Sequence, residues 1–443
     1  MLFMQHDKSK TVFILTPWHG TNFGTVLQNY ALSETIKSLG FYPTTILWEF
    51  AVFNSLGIKD DRIWSFRKKN ISCTEPCFTQ KELKRIISGG DRIIIGGDQV
   101  FYGLRCKKDE YRWGFRYGAD FVSGYKVIAS YAASVGRKKF PADKYTVDEC
   151  KRLLHRFDRL AVREKSAIDI LQNTFGVNGI EVLDPVFLLP PDRYQQIIDN
   201  TQNLITHEGG YIAFVMLKPG GQSVFEVDEG LKERLGGNER FLNINVDEKG
   251  EYNTVGQWLY NVKNAKLVIT NSFHCTALAI IFKRPFISIE QGSMGVERLI
   301  NIIENFNLHQ CIKKQLNDIT LDDINIKIDW DEVDRITKER LLTSLNYLKE
   351  VLSLTPTYKK PYINWWQSGL RAKYDKAYRY RKKAQEVIEY KFGFRHRVLR
   401  IIIKFLVDKK RYKKLKRDHV IFFRIQKALL YSFWVDSTIN SVA

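Results

Sequence analysis

The alternation of apolar and polar positions divides the chain into short buried strands and helices. Residues 11–16, TVFILT, form an apolar, β-branched run of the length expected for a buried strand. The loop PWHGTNFG (17–24) follows. In TVLQNYALSETIKSLG the residues Val26, Leu27, Tyr30, Ala31, Leu32 and Ile36 then fall at helical spacing, with Gly40 placed as a stop. FYPTTILWEF begins a second strand. Strand, loop, helix, strand is the unit from which parallel sheets are built.

The unit recurs. Strands are predicted at Arg92–Ile95, which runs into Gly96, Gly97 and Asp98, at Lys126–Ala133, which runs into SVG, and at Leu160–Val162. Helices are predicted over 145–157 and over REKSAIDILQ, and VLDPVFLL (182–189) reads as a short strand stopped by proline. The polar run DNTQNLITHEGG (199–210) has the composition of a domain boundary, and the pattern then restarts. Strands follow at 211–217, 241–245, 267–270 and 285–290, with helices at 257–264 and from NSFHC onward, and an amphipathic helix over 333–353. The expected class is α/β, with two Rossmann-like domains (residues 1–200 and 201–356) facing a cleft. A basic, mainly helical tail, 357–443, completes the chain.

Composition narrows the class of protein. A length of 443 residues accommodates two or three domains, and 44% hydrophobic with 27% charged residues excludes disorder throughout. Cys73, Cys77, Cys106, Cys150, Cys275 and Cys311 are scattered, which excludes a disulfide scaffold and fits reduced thiols. Cys73 and Cys77 lack a second ligand pair at zinc spacing, so no metal is expected. There is no uninterrupted apolar run long enough to span a bilayer, and the start has no basic leader with a cleavage site, so a cytoplasmic protein is expected.

Charge adds a feature that periodicity does not show. The net charge is +20, and residues 357–443 alone hold 23 Lys/Arg against 6 Asp/Glu. Within that tail, VLRIIIKFLV (398–407) lies between KFGFRHR and KKRYKKLKR. Basic residues beside an apolar stretch and interleaved aromatics favour an anionic membrane surface over nucleic acid. The expected location is therefore peripheral, on the inner face of the cytoplasmic membrane.

Ligands of open α/β sheets sit at the carboxyl ends of the strands. Loops 17–24, 96–103, 134–136 and 270–275 lie there in this reading. In HGTNFG, Gly24 lets backbone approach a ligand closely, and Thr21 and Asn22 offer donors. The loop is neither a phosphate-binding GK[ST] loop nor a GxGxxG turn. Gly97 and Asp98 follow a buried strand, where a carboxylate could act as a base or simply cap a helix. Ser134 ends the next strand. Arg163 stands where a guanidinium can grip a carboxylate or phosphate, with Glu164 beside it to hold it. Ser272 and His274 open an apolar helix, whose N-terminus favours anions and a neutral imidazole.

Six motifs in order carry a resemblance: TNFGTVLQNYALSETIKSLG, IIIGGDQVF, SYAASVG, LAVREKSAIDIL, VLDPVFLL and VITNSFHCTALAIIFKRPFISI. Over roughly residues 11–290 the chain resembles the polysaccharide pyruvyl transferase family; the tail lies outside the resemblance. The resemblance implies a glycosyltransferase-B-like architecture and transfer of the enolpyruvyl unit of phosphoenolpyruvate onto a sugar, usually to form a pyruvate ketal. The acceptor would belong to a surface polysaccharide or its lipid-linked precursor. Phosphoenolpyruvate is then a co-substrate and no cofactor is required.

By the same resemblance His274 is the acid/base and Arg163 the anion clamp, Asp98 orients or deprotonates the acceptor, and Asn22 and Ser272 line the site. Some relatives carry an arginine two residues before the motif histidine. Here that position is Ser272, which leaves a second arginine unassigned, with Arg284 or a lysine as candidates. The alternative activity is a nucleotide-sugar glycosyltransferase of the same architecture.

Overall fold

A computed structural model of the chain describes residues 7–362, apart from 19–21, 49–60, 78–79, 105–114, 218–222, 225–226, 228, 248, 252 and 292–294. Thr21, Cys106 and the basic tail beyond Tyr362, with its expected helices, lie outside the described residues.

The first half contains β1 (Thr11–Leu15), α1 (Phe23–Ser38), β2 (Tyr42–Thr45), α2 (Asp61–Asn70), α3 (Gln80–Ile87), β3 (Arg92–Gly96) and β4 (Gly124–Tyr131). It continues with α4 (Lys144–Leu154), β5 (Ala161–Val162), α5 (Lys165–Ile170), β6 (Ile180–Glu181) and α6 (Pro191–Asp199). The second half contains β7 (Ile212–Leu217), β8 (Ser223–Val224), α7 (Glu229–Arg234), β9 (Phe241–Asn243), α8 (Val255–Lys263), β10 (Leu267–Thr270) and α9 (Phe273–Ile281). It ends with β11 (Phe286–Ile289), α10 (Val296–Asn305), β12 (Ile312–Lys313), α11 (Trp330–Ser353) and β13 (Thr357–Lys359).

Two main α/β sheets result, as the sequence predicts, together with a two-stranded parallel pair of β5 and β6. In the first, β2, β1, β3 and β4 are parallel, and β13 adds antiparallel to β4. In the second, β12, β11, β10, β7 and β9 are parallel, with β8 antiparallel to β7. The central strands β1, β3 and β10 are buried at every position, which is why they read as unbroken apolar runs.

Helix α1 is buried nearly all round because it lies between the halves. Phe23 stacks on Trp258 of α8 with ring centroids 5.1 Å apart, while Leu32 and Ile36 join the core beneath β1 and β3. The chain then crosses back: Tyr347, Leu348, Val351 and Leu352 of α11 enter that same core. Arg92, at the start of β3, anchors the crossing by donating to the carbonyls of Leu352 and Leu354 at 2.9 and 3.1 Å. No helix among the described residues is long and apolar enough to cross a membrane.

One predicted strand is not formed. At VLDPVFLL the strand pairing falls earlier, at β6, and Pro185–Leu188 is a 3-10 turn. Pro185 has no N–H to give a ladder. Asp184 Oδ1 accepts from the Val186 N–H at 2.9 Å and turns the chain instead.

Candidate active site

Three of the four predicted loops meet around His274. Asn22 caps α1, its side-chain oxygen accepting from the N–H groups of Gly24 and Thr25 at 2.9 and 3.3 Å. This fixes the first turn of α1 against α9. A Cβ on Gly24 would lie 2.2 Å from both Cγ and Nδ1 of His274, so the imidazole occupies the space that only glycine leaves. Alanine at this position should displace the ring. We predict that Gly24→Ala lowers turnover about 100-fold and stability by about 1–3 kcal/mol. Steady-state kinetics with urea unfolding checks this, with Gly89→Ala as the control because its Cβ meets nothing closer than 3.4 Å.

The second loop turns sharply after β3. Gly97 and Asp98 both have positive φ, 65° and 53°, and the space a Gly97 Cβ would need is filled by Gln28 of α1. Gly97 is therefore required by helix packing. An aspartate in a left-handed conformation is tolerated, and the turn aims its carboxylate between the halves. Asp98 Oδ2 accepts from the Thr25 hydroxyl at 3.0 Å, Oδ1 lies 3.1 Å from Arg298 Nη1, and its carbonyl accepts from the Ser134 N–H at 2.9 Å. Burial pushes the Asp98 carboxyl up, but the groups around it, Arg298 foremost, outweigh it and hold the carboxyl well below the usual carboxylate range. Asp98 is thus a carboxylate engaged by an arginine in the free protein.

Arg163 is buried and faces Asp184, Nη2 to Oδ2 at 2.6 Å, both side chains no more than 2% exposed. Its guanidinium also stacks on Phe273, 4.7 Å from the ring centroid. Arg163 Nε and Nη1 and His274 Nε2 are buried without a hydrogen-bond partner among the described residues. His274 Nε2 is 3.7 Å from the same Asp184 oxygen. Burial holds the imidazole down at about 4 and therefore neutral near pH 7; Asp184 opposes that shift and Arg163 adds to it.

Glu164 does not hold Arg163, contrary to expectation. Its Oε1 accepts from the Ser134 hydroxyl and from the N–H groups of Val135 and Gly136 at 3.0, 2.8 and 2.8 Å. The carboxylate organises the third loop, and the Ser134 hydroxyl is used in doing so. Burial pushes the Glu164 carboxyl up, against the Gly136 N–H and Arg163, which lower it. Ser272 sits half-buried at the N-cap of α9, and its hydroxyl makes no cap bond.

Arg284 does not supply the second arginine. It precedes β11, at the amino edge of the sheet, and its Nε donates to the Phe282 carbonyl at 3.2 Å. Arg298, from α10, lies close to the cluster: its guanidinium is 5.6 Å from the same Phe273 ring that Arg163 stacks on. Asp184 and Arg298 are the members of this buried cluster that the sequence does not single out. A carboxylate within the apolar motif VLDPVFLL was the available signal for Asp184, since such groups are almost never fully buried unless paired.

The assembly is a buried cluster of two arginines, a neutral histidine and two carboxylates at the carboxyl ends of both sheets. A model of the polysaccharide pyruvyl transferase family matches residues 22–293. No curated protein matches the chain. Among solved structures, UGT89C1 of Arabidopsis thaliana complexed with UDP-L-rhamnose is 9% identical, with 78% of this chain and 99% of that chain covered and a TM-score of 0.46. UGT71G1 of Medicago truncatula complexed with UDP-glucose is 10% identical, with 80% and 100% covered and a TM-score of 0.43. UDP-GlcNAc 2-epimerase of Methanocaldococcus jannaschii is 14% identical, with 83% and 99% covered and a TM-score of 0.38. None of these three likenesses carries an argument about substrate. The family match runs over more than half of the chain, from the cap of α1 past β11, and takes in Asp98, Arg163, Asp184 and His274; the chain belongs to the polysaccharide pyruvyl transferase family.

Proposed function

We propose that the protein transfers the enolpyruvyl unit of phosphoenolpyruvate onto a sugar of a surface polysaccharide or its lipid-linked precursor, closing a pyruvate ketal. The observation that carries this reading is a buried guanidinium with unpartnered donors, Arg163, beside a neutral imidazole with an unpartnered nitrogen, His274. Buried donors without partners call for a ligand that supplies acceptors. A small molecule bearing both a phosphate and a carboxylate is such a ligand.

In this reading the anionic donor binds at Arg163, and its charge raises the pKa of His274, which takes up a proton. The imidazolium delivers that proton to the methylene carbon, leaving an oxocarbenium-like centre at C2. A sugar hydroxyl bonds to C2 and loses its proton, the C2–O bond to phosphate breaks, and a second hydroxyl closes the ketal. One proton enters the methyl group, the two hydroxyl protons leave, and inorganic phosphate carries away the bond electrons. Asp98 faces the acceptor side.

The test is phosphate release from phosphoenolpyruvate in the presence of β-galactosyl, mannosyl and N-acetylhexosaminyl acceptors. Release that requires one acceptor class supports the reading. Silence across the panel, with binding of a nucleotide sugar in its place, replaces it by the glycosyltransferase alternative.

We further propose that the basic tail holds the protein at an anionic membrane surface, near a lipid-linked acceptor. The support is its charge, 23 Lys/Arg against 6 Asp/Glu over 357–443, beside VLRIIIKFLV. The full chain should co-sediment with vesicles containing anionic lipid and be released by salt. Sedimentation indifferent to both lipid charge and salt would contradict it.

A further inference from the structure

The two arginines on Phe273 are held differently. Arg163 is locked against Asp184, 2.6 Å away and wholly buried. Arg298 reaches across from α10 to Asp98 of the first half over a longer 3.1 Å, and the Asp98 side chain keeps 19% exposure. An ion pair that is long and partly wet separates more easily than one that is short and dry, because water can take over the released charge. The approach of Arg298 is built in. Gly295, with φ 82°, precedes α10, and a Cβ there would meet Gln99 Nε2 first and then Arg298 Nε at 2.9 Å. On the same helix, Asn301 Nδ2 donates to Glu181 Oε1 at 2.7 Å, and Asn301 Oδ1 accepts from the Lys165 N–H at 3.0 Å. These bonds tie α10 to the first half and keep Arg298 in register with Asp98.

We propose that Arg298 is the second cation for the donor, and that donor binding draws it from Asp98 and so frees Asp98 for the acceptor hydroxyl. This rests on the reading of phosphoenolpyruvate as donor. Two guanidinium groups stacked on one ring repel each other unless anions compensate. In the free protein Arg163 faces Asp184 and Arg298 faces Asp98. A donor with a phosphate and a carboxylate offers both an anionic partner, and it displaces the looser of the two existing pairs first. Asp98, relieved of its cation, then regains proton affinity when an acceptor must be deprotonated. The donor therefore binds before the acceptor.

The test is calorimetric titration of the full-length protein with phosphoenolpyruvate, alongside steady-state kinetics and near-ultraviolet circular dichroism as a check on folding. Arg298→Gln is expected to weaken donor binding about 30- to 100-fold, the loss expected for charge-assisted bonds, and Arg298→Lys to restore only part of it. Asp98→Asn is expected to bind the donor as tightly as the wild type or several-fold tighter while turnover collapses. The neutral pair Asp98→Asn with Arg298→Gln guards against misfolding and should bind as weakly as Arg298→Gln alone.

Wild-type donor affinity in Arg298→Gln overturns the inference and leaves the proposed function standing. An equal loss of donor affinity in Asp98→Asn and Arg298→Gln shows that Asp98 only positions the arginine, and overturns the exchange. A wild-type protein that binds no phosphoenolpyruvate overturns the proposed function and, with it, this inference.

Discussion

Replacing His274 by alanine should reduce transfer about 1,000-fold, within the range that positioned acid–base groups supply, while donor affinity near neutral pH changes far less. The ring is buried and neutral in the free protein, at about 4. An anion beside it favours the charged imidazole, so the donor-bound value is higher than the free one. Between those two values, binding is coupled to proton uptake, and donor affinity tightens as pH falls toward about 4. Titrations in buffers of different ionisation enthalpy should register that uptake in the wild type and lose it in His274→Ala. Equal uptake in both proteins would move the proton to another group; unchanged turnover would remove the histidine from the chemistry.

Arg163→Met should destabilise the fold by about 3–5 kcal/mol, the cost of leaving one member of a buried ion pair without its partner. The orphan would be Asp184, which is fully buried, with the Val186 N–H and the imidazole beside it. Donor binding should disappear in the same variant. The two effects separate in Arg163→Met with Asp184→Asn, where the buried charge is gone: most of the stability should return and donor binding should not. Urea unfolding measures the first and calorimetry the second. A single variant as stable as the wild type would mean that the pair contributes nothing, despite its 2.6 Å contact.

These expectations depend on residues of unequal legibility. The parallel sheets were readable because buried central strands leave unbroken apolar runs, as in TVFIL and LVIT. The place of His274, Asp98 and Arg163 at strand exits was readable because each follows such a strand, where α/β sheets bind their ligands. Their partners were not. Asp184 stands before a proline, in a motif that periodicity reads as a strand end. Arg298, Asn301 and Asn305 form a polar stripe beside apolar Leu299, Ile302 and Ile303, and such a stripe reads as a solvent face. In the fold it meets the first half instead: Arg298 reaches Asp98, and Asn301 and Asn305 both donate to Glu181. Contact between distant segments has no local period, so nothing within either stretch announces it. The same holds for the side chains that fill the space over two glycines, His274 over Gly24 and Gln28 over Gly97.

In the proposed reaction enolpyruvyl passes from phosphoenolpyruvate to a sugar with a proton delivered to its methylene carbon. The direct measurement is the mass of an acceptor incubated with the full-length protein and phosphoenolpyruvate in heavy water. The expected product is heavier by pyruvate less one water, with a single deuterium retained in its methyl group and phosphate released in equal amount. An acceptor that gains a pyruvyl group without carbon-bound deuterium would contradict the protonation step, and an acceptor whose mass never changes across the panel would contradict the transfer itself.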